Sequence, residues 1–175
     1  MIRLHRAPDD LPLHADAGFH PRVGGGHVDR SGGVGGLLLA ELDRPVVIHC
    51  REAVDDTLAL MRDFASVPGV FHCFTGASDE ARRIVKAGYL LGFTGVVTFK
   101  RNDDLRAAVR LTPRDRLLVE TDAPYLTPEP MRKQKTNEPS FVVHTAAVVA
   151  KEWGVSLEEL DAITTQNTLR FFRWT

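Results

Sequence analysis

Two cysteines are too few for a disulfide scaffold, and each sits beside a histidine inside an apolar run. That usage fits a reducing compartment. No stretch approaches the ~18 consecutive apolar residues of a bilayer span, and the N-terminus has no signal-like apolar region. The chain is therefore expected to be cytoplasmic, with no membrane partner. A formal net charge of −1 supplies no global attraction for polyanions, so affinity for nucleic acid has to come from a local patch or from bound metal ions. No nucleophile-elbow motif occurs, which leaves serine–histidine and cysteine–histidine chemistry unsupported. What is present is ordinary for one soluble domain: 175 residues, 43% hydrophobic and 26% charged. We read residues 1–175 as a single domain, with 1–36 irregular and 37–175 forming the core.

Residues 1–16 have no sustained period, and Pro12 allows only an edge or irregular strand around Leu11 and Leu13. Residues 17–21 close a short strand at Pro21. Half of residues 23–36 are glycine, seven of fourteen, which reads as a loop. The apolar residues 37–42 look like the end of a buried helix, released by Asp43, Arg44 and Pro45. From Pro45 onward, short β-branched strands alternate with amphipathic helices. Strands are predicted at 46–50, 70–74, 89–94 and 117–120, and helices at 52–64, 78–88, 105–110 and 141–153. Ser78 is read as a helix cap, Gly88 and Gly154 as stops, and Ser156 as the start of a last helix ending near Phe172. Residues 123–138, rich in proline, read as a long ordered loop. Apolar strands alternating with helices predict an α/β fold with a parallel sheet, whose functional groups gather at the strands' carboxyl ends.

Three of those ends carry groups that bind metals. His49 closes Val46-Val47-Ile48, His72 closes Val70-Phe71, and Asp122 follows Leu117-Leu118-Val119. Two imidazoles and a carboxylate suit Zn²⁺, Mn²⁺ or a related divalent ion. Strand alternation then turns Cys50 and Cys73 toward the helices, as packing rather than ligands. Glu120 reads as a base, a partner of the ligands, or a buried ion-pair member. Arg51 could face a phosphate or pair with Glu52 and Asp55 at a helix start. Thr94-Gly95 and Thr98, with Lys100 and Arg101, offer phosphate-type contacts, or form only a strand end and a charged loop. The basic run 132–135 is either a ligand contact or a solvated face.

The motifs Pro45-Val46-Val47-Ile48-His49-Cys50-Arg51-Glu52-Ala53, His72-Cys73-Phe74-Thr75-Gly76, Gly95-Val96-Val97-Thr98-Phe99-Lys100 and Leu117 through Leu126 occur in that order, followed by Asn137-Glu138-Pro139. Together they resemble the TatD family of metal-dependent deoxyribonucleases, as do Thr164-Thr165-Gln166-Asn167 and Phe171-Phe172 near the C-terminus. The resemblance implies a (β/α)₈ TIM-barrel-like fold and a divalent cofactor, Mg, Mn or Zn. It implies hydrolysis of phosphodiester esters, with DNA or nucleic-acid fragments as substrate. Carried over by motif, His49, His72 and Asp122 are metal ligands. Joined to the reading of the residues themselves, this makes Asp122 and Glu120 the catalytic carboxylates and Arg51 and Thr98 substrate contacts, with His20 as a further substrate contact at the site rim. His20 enters through Gly18-Phe19-His20-Pro21, which is similar to the family's glycine-x-His-Pro segment.

The family's opening His-x-His pair and its bridging glutamate, in a Gly-Glu-x-Gly-Leu-Asp context, do not occur in this sequence. A full barrel takes about 250 residues, so the expectation is a partial barrel holding roughly the C-terminal half. Such a chain is a fragment, a degenerate relative, or a half completed by association of copies. The leading expectation is a deoxyribonuclease weakened by the lost ligands. The alternatives are a non-catalytic remnant binding a metal or a partner, and a barrel hydrolase acting on another ester.

Overall fold

The computed structural model describes residues 44–174, and the chain divides into two compact units, Met1–His72 and Cys73–Thr175. His20 and the helix end expected at 37–42 lie outside the described residues.

In the first unit, Pro45 delivers the chain into β1 (Val46–His49), which pairs in parallel with β2 (Gly69–His72). The register sets Val46 against Gly69 and His49 against His72. The run is a strand because its β-branched side chains suit a pleated, buried surface, and Val46, Ile48, Val70 and Phe71 are almost wholly buried. The crossover is α1 (Val54–Met61), extended by a 3₁₀ turn at Arg62–Phe64. Asp55 and Asp56 sit in its first turn, where the helix dipole favours negative charge. Val54, Met61 and Phe64 are its buried residues. Thr57 donates from Oγ1 to the Cys50 sulfur at 3.4 Å, which confirms that this cysteine faces the helix.

The second unit repeats the alternation with α2 (Ser78–Lys86), β3 (Leu90–Phe93), α3 (Asp103–Leu111) and β4 (Leu117–Val119). It closes with α4 (Val142–Trp153) and α5 (Leu157–Phe172). β3 and β4 are parallel, with Leu91 opposite Leu117 and Phe93 opposite Val119. Its core is built from Ile84, Leu91, Phe93, Val109, Leu117, Val149 and Leu160, each at most 1% exposed. Full burial of such a side chain is worth about 1.5–3 kcal/mol against exposure.

The helix ends follow the expected residues with one correction. Ser78 does not cap α2; Ala77 is the cap residue, and Glu80 closes the turn by accepting the Ala77 amide at 2.9 Å. Ser156 does cap α5, accepting the Glu159 amide at 3.1 Å. Gly88 and Gly154 both take positive φ, 94° and 67°, at the ends of α2 and α4, as a left-handed stop requires. Asn167 fastens α5 to the strand side. Its Nδ2 donates to the carbonyls of Arg114 at 2.7 Å and Leu117 at 2.9 Å. Among the described residues, no helix is long and apolar enough to cross a membrane.

Candidate functional site

Within the first unit, the last residues of β1 and β2 are the two histidines, and they are register partners. Side chains at paired positions of adjacent strands leave the sheet on the same face. The rings accordingly meet, with centroids 6.2 Å apart and planes inclined at 39°. His49 is exposed and His72 half-buried. With a metal–nitrogen bond near 2.0–2.1 Å, two imidazoles on one ion stand roughly 5–6 Å apart, centre to centre. The observed separation lies just above that span, and two imidazoles are donors of the kind divalent ions take. Arg51, two residues beyond β1, is exposed, and Glu52 takes a left-handed φ of 53°.

Within the second unit, the strand ends gather a different set. Cys73, the first residue after β2, takes a φ of 49°, and Asp122, three residues after β4, one of 63°. Left-handed backbone at non-glycine residues costs energy and marks segments held by their surroundings. Glu120 is one such holder: its Oε1 accepts the Cys73 amide at 2.5 Å. The carboxylate lies directly over Gly92 of β3, where an added Cβ would meet Glu120 Oε1 and stand 2.7 Å from its Cδ. A glycine inside an apolar strand is the sequence sign of such a close approach.

The reversed φ at Cys73 breaks the strand alternation on which the expectation for its thiol rested. Its sulfur lies 3.4 Å from the Thr94 hydroxyl instead. Burial pushes its pKa up to about 11; the Thr94 hydrogen bond opposes that rise, and the charges of Asp122 and Glu120 add to it. Cys73 is therefore a neutral thiol beside two carboxylates. Among the described residues, no three or more His, Cys, Asp and Glu side chains form a group that could hold a metal ion.

Thr98 stands where the loop after β3 meets the loop after β4. Its hydroxyl donates to the Gly95 carbonyl at 2.6 Å and accepts the Glu129 amide at 2.8 Å. Gly95 itself admits the Leu126 carbonyl to 2.6 Å of where a Cβ would lie. Arg132, from the basic run, lies over the Phe99 ring at 3.9 Å, a cation–π contact. Asn137 is 3% exposed and organises the whole segment. It donates from Nδ2 to the carbonyls of Tyr125 at 2.6 Å and Thr121 at 3.1 Å, and from its backbone to Pro124 at 3.0 Å. Sequence reasoning named Asn137 only within the motif Asn137-Glu138-Pro139 and gave it no structural task, because its burial is not visible in the sequence.

Three comparisons bear on these strand ends. The family model described as TatD related DNase matches residues 38–173. An uncharacterized metal-dependent hydrolase of Bacillus subtilis, YabD, is 41% identical over 138 residues, covering 78% of this chain and 54% of that protein. A protein of Erwinia billingiae named 3'-5' ssDNA/RNA exonuclease TatD is 43% identical over 142 residues, covering 78% of this chain and 54% of its own length. The chain thus spans about half the length of these relatives. The crystal structure of YjjV, a TatD homolog from Escherichia coli K12, superposes with a TM-score of 0.74 at 27% identity, over 80% of this chain and 54% of that one. The fold is accordingly α/β, of the TIM-barrel-like type, with part of the barrel described. By the extent and order of the match, the chain belongs to the family of TatD-related DNases.

Proposed function

We propose that the protein is a metal-dependent hydrolase that cleaves phosphodiester bonds of nucleic acid, single-stranded DNA foremost. The observation that carries this reading is the pairing of His49 and His72 at the ends of two parallel strands. The exonuclease name of the Erwinia relative supports the substrate class. His49, His72 and Asp122 are the proposed ligands, a donor set suited to Mg²⁺, Mn²⁺ or Zn²⁺. When bound, a divalent ion polarises a phosphoryl oxygen and lowers the pKa of water. Asp122 takes the proton of the attacking water in this scheme, from a backbone that is left-handed at that residue. Glu120 acts from the position fixed by the Cys73 amide and Gly92, adding negative charge beside Asp122. Arg51 and Thr98 are assigned to the phosphate backbone. Arg51 acts through its guanidinium. Thr98 acts by turning its proton from the Gly95 carbonyl to a phosphate oxygen, since phosphate oxygens only accept and the hydroxyl otherwise serves the loop. His20 is assigned to the same backbone.

The test is cleavage of a labelled single-stranded oligodeoxynucleotide by the purified protein with Mg²⁺, Mn²⁺ and Zn²⁺ in turn. Asp122→Ala and His72→Ala should each lose about 100-fold or more of the rate, the scale of losing one preorganised electrostatic contact. Metal binding without cleavage under any of the three ions would overturn the enzymatic reading. It would leave a non-catalytic domain that binds a metal or a partner.

A further inference from the structure

Tyr125 is 70% exposed, far above the next large apolar side chains, Val143 at 46% and Leu157 and Trp174 at 42%. Isolated exposed apolar residues are common and need no explanation. What distinguishes Tyr125 is that its backbone is not free to move the ring away. Its amide donates to the Asp122 carbonyl at 2.9 Å, and its own carbonyl accepts the buried Asn137 amide at 2.6 Å. The next residue, Leu126, is in the left-handed region at φ 55°, and its carbonyl is seated against Gly95. The preceding turn is closed by Ala123, whose amide donates to the Thr121 hydroxyl at 3.3 Å. These hydrogen bonds hold the backbone that carries an aromatic ring in water, one turn from the strand-end acid Asp122. Lys133 and Lys135, eight and ten residues further along the chain, are exposed.

An exposed ring on a hydrogen-bonded backbone is the kind of surface on which single-stranded nucleic acids stack their bases. Every base offers a π-face, so such contacts tolerate sequence. Preorganisation matters too, because a backbone already held pays little ordering entropy on binding. We infer that Tyr125 is a stacking platform for one nucleobase of a single-stranded substrate, next to the phosphodiester presented to Asp122. This inference rests on the nuclease reading of the same site and names the part of the substrate that the loop after β4 recognises.

The experiment compares the wild type with Tyr125→Ala, Tyr125→Phe and Tyr125→Trp on one oligodeoxynucleotide and on a series carrying a single abasic position. Binding is read by fluorescence anisotropy of the labelled strand in EDTA, and cleavage by KM and kcat with Mn²⁺. Tyr125→Ala should weaken binding and raise KM by roughly 5- to 100-fold, the range for loss of one stacked base, with a much smaller change in kcat. Phe and Trp retain a ring and should stay within about threefold of the wild type. One abasic position should weaken the wild type by a similar factor and add nothing in Tyr125→Ala. Equal affinity of wild type and Tyr125→Ala, or full additivity at every abasic position, overturns the stacking inference. Binding that obeys this pattern in a protein that never cleaves would refute the nuclease reading and leave the platform standing. Failure of the wild type to bind any oligonucleotide in EDTA would refute the platform, while the cleavage assay with Mn²⁺ decides the nuclease reading separately.

Discussion

Replacing Gly92 by alanine tests how Glu120 is held. The new methyl carbon would stand 2.7 Å from the Glu120 Cδ and closer still to Oε1. Gly92 is buried in β3, so the strand cannot retreat without disturbing Leu91 and Phe93. The carboxylate must swing off, losing the hydrogen bond from the Cys73 amide. A hydrogen bond to a charged group is worth about 1.5–3 kcal/mol. Glu120 is half-buried, so solvent screening puts its value at the lower end, about 1.5 kcal/mol. Overpacking adds about 1–3 kcal/mol, for a total loss near 3 kcal/mol. In a domain of this size that lowers Tm by about 6–12 °C. Glu120→Ala alone should cost about 1–2 kcal/mol, because the Cys73 amide loses its acceptor. It also removes the group that clashes with the methyl. The double variant should therefore be more stable than the two single losses imply, by about 1 kcal/mol or more. Urea denaturation followed by circular dichroism measures all four proteins. Losses that add to within about 0.5 kcal/mol would show that Gly92 and Glu120 do not meet as described.

Asn137→Ala should leave the carbonyls of Thr121 and Tyr125 without their donor, at about 1–3 kcal/mol; limited proteolysis should then cut at the exposed Lys133 and Lys135 faster than in the wild type. Asn167→Asp sets an acceptor against the carbonyls of Arg114 and Leu117 at a position 3% exposed. Its Tm should fall by several degrees, whereas an unchanged Tm would mean that the α5 anchor is dispensable. Gly154→Ala meets no atom within 4 Å but must adopt φ 67°, so it should cost about 1 kcal/mol in chemical denaturation, with the fold unchanged.

The strands were readable because β-branched runs such as Val46-Val47-Ile48 have one favourable use, a buried parallel sheet. The helices were readable from spacing and punctuation: Gly154 ends α4 and Ser156 opens α5, as their residue types require. Backbone reversals were not readable. A residue such as Cys73 gives no advance sign of a positive φ, because the turn is imposed by partners distant in sequence, here Glu120. The role of Gly92 was written in the strand but could be decoded only once its neighbour across the sheet was known. Residues 123–138 have no period, so neither the anchoring by Asn137 nor the exposure of Tyr125 could be derived from pattern. The two histidines were legible as a pair because both end apolar strands, and the register of β1 against β2 placed them side by side.

That His49 and His72 act on one ion is most directly tested by long-range proton–nitrogen NMR of the histidine rings during titration with Zn²⁺. Single His→Asn variants assign the resonances, and the Asp122→Ala protein serves as comparison. The account predicts that both rings shift together and saturate at one equivalent, at a higher Zn²⁺ concentration when Asp122 is gone. Rings that titrate independently, or a single ring that moves while its neighbour stays fixed, would contradict it.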